Sequence, residues 1–168
     1  MRMFVAILAM SIGVSAFAQE PTKPGPEHEW LKKMEGTWTT TMKFGGMESK
    51  GTATYKMELG GLWLTSAMES ELFGQKFSGR GFDGYDVLKK KYIGIWVDSM
   101  GTAPVLTEGT YDKEKETLTM TGTGPGMDGA ATKYKSTSEY VNDDTMNFTM
   151  YIGDTKEPSF TIVYKRKK

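Results

Sequence analysis

From residue 37 to the C-terminus the chain repeats one pattern: apolar and polar residues alternate with a period of two, in short stretches that end at turn residues. Strict alternation puts every second side chain on the same face of an extended strand, and a helix cannot use that period. About ten such stretches follow one another, at 37–44, 49–59, 62–73, 76–85, 92–98, 105–111, 117–122, 133–141, 145–152 and 159–166. Between them lie glycines, Asp-rich or Lys-rich turns, and Asn142 to Asp144. Connections this short join antiparallel neighbours, so the chain reads as a meander. Ten twisted strands in one open sheet would leave long unpaired edges, and closure into a barrel removes them. The expected fold is an all-β, antiparallel up-and-down barrel of about ten strands. A two-sheet sandwich is the competing solution, and the even meander favours the barrel.

The alternation also assigns faces. Trp38, Thr40, Met42 and Phe44 oppose Thr39, Thr41 and Lys43, and Ala53, Tyr55, Met57 and Leu59 oppose Thr54, Lys56 and Glu58. Leu64, Ser66 and Met68 oppose Glu69 and Glu71, while Tyr134, Ser136, Ser138 and Tyr140 oppose Lys133, Lys135 and Glu139. Near the C-terminus Met146, Phe148 and Met150 share one face, as do Phe160, Ile162 and Tyr164. The inferred interior is rich in methionine and tyrosine, with a few hydroxyls. Methionine adapts its shape to a guest, so this lining suits a small apolar or amphipathic ligand. The candidate lining residues are Met42, Tyr55, Met57, Leu64, Met68, Arg80, Met120, Tyr134, Met146, Phe148, Met150 and Tyr164. A barrel filled by its own side chains satisfies the same pattern. Around Tyr92 to Val97 periodicity alone does not choose between Ile93, Ile95 and Val97 and the opposing Tyr92 and Trp96.

The N-terminal segment has a different grammar. Met1 and Arg2 give a positive start, residues 3–14 are uncharged and apolar, and Ala16-Phe17-Ala18 is an A-x-A cleavage site. Together these read as a signal peptide over 1–18, which implies export to the periplasm or medium. The apolar run is shorter than the roughly 20 residues of a membrane span. Residues 19–26, with three prolines and a glycine, read as a linker, and 27–168 as a single domain. Residues 27–36 carry a helix signature, with acids first, lysines late and Gly36 as the C′ residue. Trp30, Leu31 and Met34 form its apolar stripe. A helix of two turns is unstable alone and must dock on the barrel.

Composition narrows the chemistry. The 168 residues contain no cysteine, one histidine, and 21 basic against 21 acidic residues. No disulfide, thiolate metal site or cysteine nucleophile is available, and the balanced charge argues against a nucleic-acid partner. A metal site for zinc or copper is not expected without further histidines, and no cofactor is expected. Gly79, Gly81 and Gly84 satisfy G-x-G-x-x-G, but a strand rather than a helix follows, so relief of crowding in a bent strand explains the run better. Glu69 and Glu71 share a strand face about 7 Å apart and offer a carboxylate pair for catalysis if they line a cleft; a solvated outer face is the alternative. Asp98 closes a strand behind Trp96. Arg80, if it points inward, would meet the carboxylate of a lipid or organic acid.

Several segments carry a family resemblance. Gly36-Thr37-Trp38 after a short helix resembles the G-x-W opening of lipocalin-type (calycin) barrels, in which an arginine of the last strand covers the tryptophan; Arg166 is the matching residue here. Over almost the whole length beyond residue 18 the chain resembles the bacterial family known as domain of unknown function 1579. The matching segments include PGPEHEWL at 24–31, GGLWL at 60–64, GRGFDGYD at 79–86, KYIGIWVDSM at 91–100 and EGTYD at 108–112. That resemblance brings no activity with it. The architecture also looks like the haem-binding nitrobindin barrels, which need an axial histidine from a barrel strand. The single histidine, His28, falls on the helix, so haem is disfavoured.

These readings lead to an exported barrel that binds a small hydrophobic or amphipathic molecule. The alternatives are a barrel enzyme using Glu69 or Asp98, and a filled barrel that serves as an interaction module. The lack of catalytic histidine and cysteine ranks binding above catalysis. No stable membrane insertion is expected, and the oligomeric state is left open.

Overall fold

In the computed structural model, which describes residues 22–126 and 129–168, ten antiparallel strands close into one barrel. The strands are β1 (Gly36–Phe44), β2 (Met47–Glu58), β3 (Trp63–Leu72), β4 (Gln75–Asp86), β5 (Lys91–Asp98), β6 (Val105–Asp112), β7 (Thr117–Pro125), β8 (Ala131–Asn142), β9 (Thr145–Ile152) and β10 (Phe160–Arg166). Each pairs with its sequence neighbours, and β1 closes the barrel on β10 with Trp38 opposite Arg166. The expected meander is what forms. The signal-peptide reading of residues 1–18 lies outside the described residues.

Local chemistry sets the hairpins. Gly45 and Gly46, with φ of +53° and +81°, make the two-residue turn between Phe44 and Met47, a geometry whose twist matches the flanking strands. Phe73 and Gly74 do the same between β3 and β4, with φ of +54° and +74°. These turns fix the register, and the register carries the alternation around the barrel.

The helix α1 (His28–Lys33) closes one end. Trp30, Leu31 and Met34 are buried as the stripe requires, and Trp30 lies against Tyr92, Tyr111 and Tyr140 with ring centroids 5.7–6.2 Å apart. Glu29 in the first turn and Lys32 and Lys33 in the last complement the helix dipole. The helix gives way at Met34, one residue before the expected position, so Gly36 (φ +123°) opens β1 instead of serving as C′. Of the expected linker, residues 22–26 are described. Their end is tied down: the Gly25 N–H donates to His28 Nδ1, and the His28 N–H donates back to the Gly25 carbonyl, both at 3.0 Å.

The Trp38–Arg166 pair locks this end. The guanidinium lies 4.1 Å from the centre of the Trp38 ring and donates to the carbonyls of Lys33, Glu35 and Asp143 at 2.7–3.1 Å. Trp38 Nε1 in turn donates to the Met34 carbonyl at 2.8 Å. One arginine therefore binds the exit of the helix, the β8–β9 turn and the first-strand tryptophan together.

Candidate functional site

The interior takes its lining from the odd positions of β4. Phe77, Gly79 and Gly81 are buried there, while Arg80 between the two glycines and Phe82 after them are exposed. On β5 the inward residues are Tyr92, Gly94 and Trp96, with Ile95 and Val97 on the outer wall. This settles the face that periodicity left open. The Trp96 ring fills the space that Gly79 and Gly81 leave: a Cβ at Gly79 would lie 2.1 Å from its Cζ2. The run of glycines in β4 is thus a groove for an aromatic ring, with strand structure on both sides of it.

One cross-strand row carries the chemistry. Met57, Leu64, Asp83, Gly94, Thr107 and Gly122 are successive register partners across β2 to β7. Asp83 therefore projects inward from the middle of the wall. Its Oδ1 and the Thr107 hydroxyl both lie 2.8 Å from where a Gly94 Cβ would stand, and the Met120 methyl lies 3.4 Å from the same point. A carboxyl has room here because the neighbouring strand offers no side chain.

Desolvation inside the wall raises the Asp83 pKa to about 7. No hydrogen bond or ion pair involving Asp83 is found among the described residues, yet the residue keeps part of its accessible surface. Tyr55 is likewise partly buried and packs against the core. Its ring stands edge-on to Tyr164, with centroids 6.2 Å apart. Burial first, then the charge of Tyr164 and hydrogen bonding to it, and then the field of Asp83 push the Tyr55 phenol well above its usual range. Burial pushes Tyr164 up to about 12, against an opposing hydrogen bond from Tyr55.

The other expected lining residues divide into groups. Leu64, Met68, Met120, Met146 and Tyr164 are buried in the core, and Met42, Met57 and Phe148 pack against it. Met150 faces Ser136 on β8 and Phe160 on β10. Tyr134 gives its hydroxyl to the Pro125 carbonyl at 2.6 Å, which ties down the β7–β8 connection. Arg80 departs from the expectation. It stands on the outer wall, more than half exposed, and pairs with Glu69 at 2.8 Å. It does not reach an interior ligand, because the glycines beside it take the inward positions. Glu69 and Glu71 are likewise exposed on the outer wall, so they share no interior cleft. Asp98 accepts from Trp96 Nε1 and from the Met100 N–H, each at 2.9 Å, and so shapes a strand end.

The interior acid, Asp83, is absent from the candidates read from sequence. Its signal is the spacing Gly79, Gly81, Asp83: if the two glycines relieve crowding inside the barrel, the next residue of the same parity also faces inward. Elsewhere in the interior, the Thr40 and Ser70 hydroxyls are buried without partners, and Thr40 Oγ1 lies 2.9 Å from a Gly51 Cβ position. No cluster of three or more His, Cys, Asp or Glu that could hold a metal occurs among the described residues. None of the described helices is long and apolar enough to cross a membrane.

Comparison with known proteins places the chain by family and by fold. Residues 23–166 match the model of the family described as "Protein of unknown function (DUF1579)", and the chain belongs to that family. No curated protein matches it. Among solved structures it is similar to the crystal structure of Rv2717c from M. tuberculosis, at 14% identity and a TM-score of 0.63, covering 86% of this chain and 99% of that one. It is also similar to a de novo designed fluorescence-activating β-barrel, at 13% identity and a TM-score of 0.49, covering 82% and 96%. A redesigned barrel, mFAP1, solved bound to DFHBI, gives 14% identity and a TM-score of 0.47, covering 81% and 97%.

Proposed function

We propose that this member of the DUF1579 family is an exported carrier that binds a small hydrophobic or amphipathic molecule inside its barrel. The observation that carries the reading is Asp83, a carboxyl that faces the interior, keeps part of its accessible surface and has no hydrogen-bond or ion-pair partner among the described residues. Export rests on the signal-peptide pattern of residues 1–18. The helix α1 caps one end of the barrel, so the guest enters from the other, between the β1–β2 and β3–β4 turns and the connections that follow β5, β7 and β9.

The lining fits such a guest. Leu64, Met57 and Met120 provide apolar contact, methionine adapts to irregular shapes, and the phenols and hydroxyls supply a few fixed polar points. Native mass spectrometry of the protein, purified gently from the host that exports it, tests the reading. A reproducible adduct of a few hundred daltons that is lost on denaturation is the expected result. A clean mass equal to the bare chain, together with no uptake of added amphiphiles, would overturn it.

A further inference from the structure

We propose that Asp83 is the counter-charge for a cationic head group, so that the interior selects amphiphiles bearing an amine over neutral or anionic ones. This rests on the interior-binding reading above and names the chemical class of its guest.

The argument begins with what Asp83 lacks. None of the ion pairs among the described residues includes Asp83: Arg80 serves Glu69, Lys89 and Lys91 serve Glu108, Lys133 serves Asp154, and Lys56 serves Glu58. All of these pairs are on the outer wall, because the alternation that turns Asp83 inward turns the lysines outward. Arg166 is taken up at the helix end by three carbonyls.

Nor do the nearby hydroxyls serve the carboxyl. Thr107 gives its proton to the Gly94 carbonyl at 3.5 Å, and no hydrogen bond from Tyr55 or Tyr164 to Asp83 is found among the described residues. A carboxylate can accept about four hydrogen bonds, and leaving it bare inside a protein is costly. The chain keeps this cost at a position where asparagine, serine or another glycine would fit the same wall.

An alkylammonium matches what is missing. It brings one positive charge and three donors on a compact head, and charge-assisted hydrogen bonds are the strong ones. Behind the carboxyl, Leu64 is fully buried and the Met120 methyl lies against the Gly94 position, so an aliphatic or aromatic tail finds apolar contact within reach of the head. An alcohol offers a single donor and no charge. A fatty carboxylate would place a second negative group beside the first.

The test uses the full chain, three probes of equal tail length and one variant. Isothermal titration calorimetry at pH 8 compares 1-octylamine, 1-octanol and octanoate, on the natural protein and on Asp83→Asn. The expected result is that octylamine binds at least about tenfold more tightly than octanol, with octanoate the weakest. In Asp83→Asn the octylamine advantage shrinks to about twofold or less, while octanol binds as before. Equal affinities for amine and alcohol, or an amine preference that survives Asp83→Asn, would overturn the head-group assignment and leave interior binding standing. Failure of all three probes to bind would overturn both. The comparison among probes on the natural protein stands even if the variant does not fold.

Discussion

The Asp83 carboxyl occupies the space over Gly94, with Oδ1 2.8 Å from the point where a Cβ at residue 94 would be. The Thr107 hydroxyl is equally close to that point. The acid is inside the barrel because its neighbour on β5 has no side chain. Gly94→Ala forces both polar groups to move in a packed wall. The expected cost is about 1–3 kcal/mol of stability by urea unfolding, with a parallel loss of amine binding. An unchanged unfolding midpoint would show that the wall at Gly94 is slack.

The charge on Asp83 also makes stability depend on pH. Its folded pKa, about 7, is above the ordinary carboxyl value near 3.8, so the folded state holds this proton more tightly than the unfolded one. Stability from this group is fully present below about pH 4 and is lost as pH rises towards 7, by at most about 4 kcal/mol. The groups that feel its charge are Tyr55 and Tyr164, whose phenols burial raises, so both stay neutral over that range. Asp83→Asn is therefore expected to raise the Tm of the ligand-free protein at pH 8, by a margin that narrows as the pH falls to 5. A lower Tm at pH 8 for the variant would mean that the carboxylate has a partner in the folded chain.

The two buried tryptophans near the helix should respond differently to the loss of their N–H. Trp38 Nε1 donates to the Met34 carbonyl, whereas Trp30 Nε1 is buried with no partner. Both ring-shrinking changes to phenylalanine lose packing. Trp38→Phe also orphans a carbonyl and removes the platform under Arg166, so it should cost about 1–2 kcal/mol more than Trp30→Phe in urea unfolding. Equal costs would imply that Trp30 Nε1 is satisfied by a bound water.

Arg166 is expected to be needed for its shape as well as its charge. It stacks on Trp38 while its fork reaches three carbonyls in three directions. Arg166→Ala should cost about 2–4 kcal/mol, and Arg166→Lys should recover less than half of that, since a point charge can neither stack nor span the fork. Full recovery by lysine would reduce the role to simple charge.

Most of the architecture is legible in the sequence because a period of two has one structural meaning when turn residues punctuate it. The segment from Thr145 to Ile152 shows this: Met146 is buried and Asn147 exposed, as the alternation requires. β4 and β5 resist the same reading, because glycine carries no hydropathy signal and both of their faces bear apolar side chains. Ile95 and Val97 are more hydrophobic than Tyr92 or Trp96, yet they stand on the outer wall at 42% and 44% exposure. Size explains the choice: the Trp96 ring fills the interior that Gly79 and Gly81 leave open. For the same reason hydropathy allows Arg80 to point inward and gives Asp83 no signal. The true placement of both follows from the parity of those glycines, a packing signal that composition and periodicity do not contain.

The carrier reading turns on where a guest sits, and the methionines report that directly. Met57 and Met120 border the row that holds Asp83, while Met47 and Met100 are exposed at 51% and 66%. With 13C-labelled methionine methyls, an NMR titration with 1-octylamine should shift the Met57 and Met120 signals saturably and leave Met47 and Met100 in place. Shifts confined to Met47 and Met100, or none at any methionine, would contradict a guest inside the barrel.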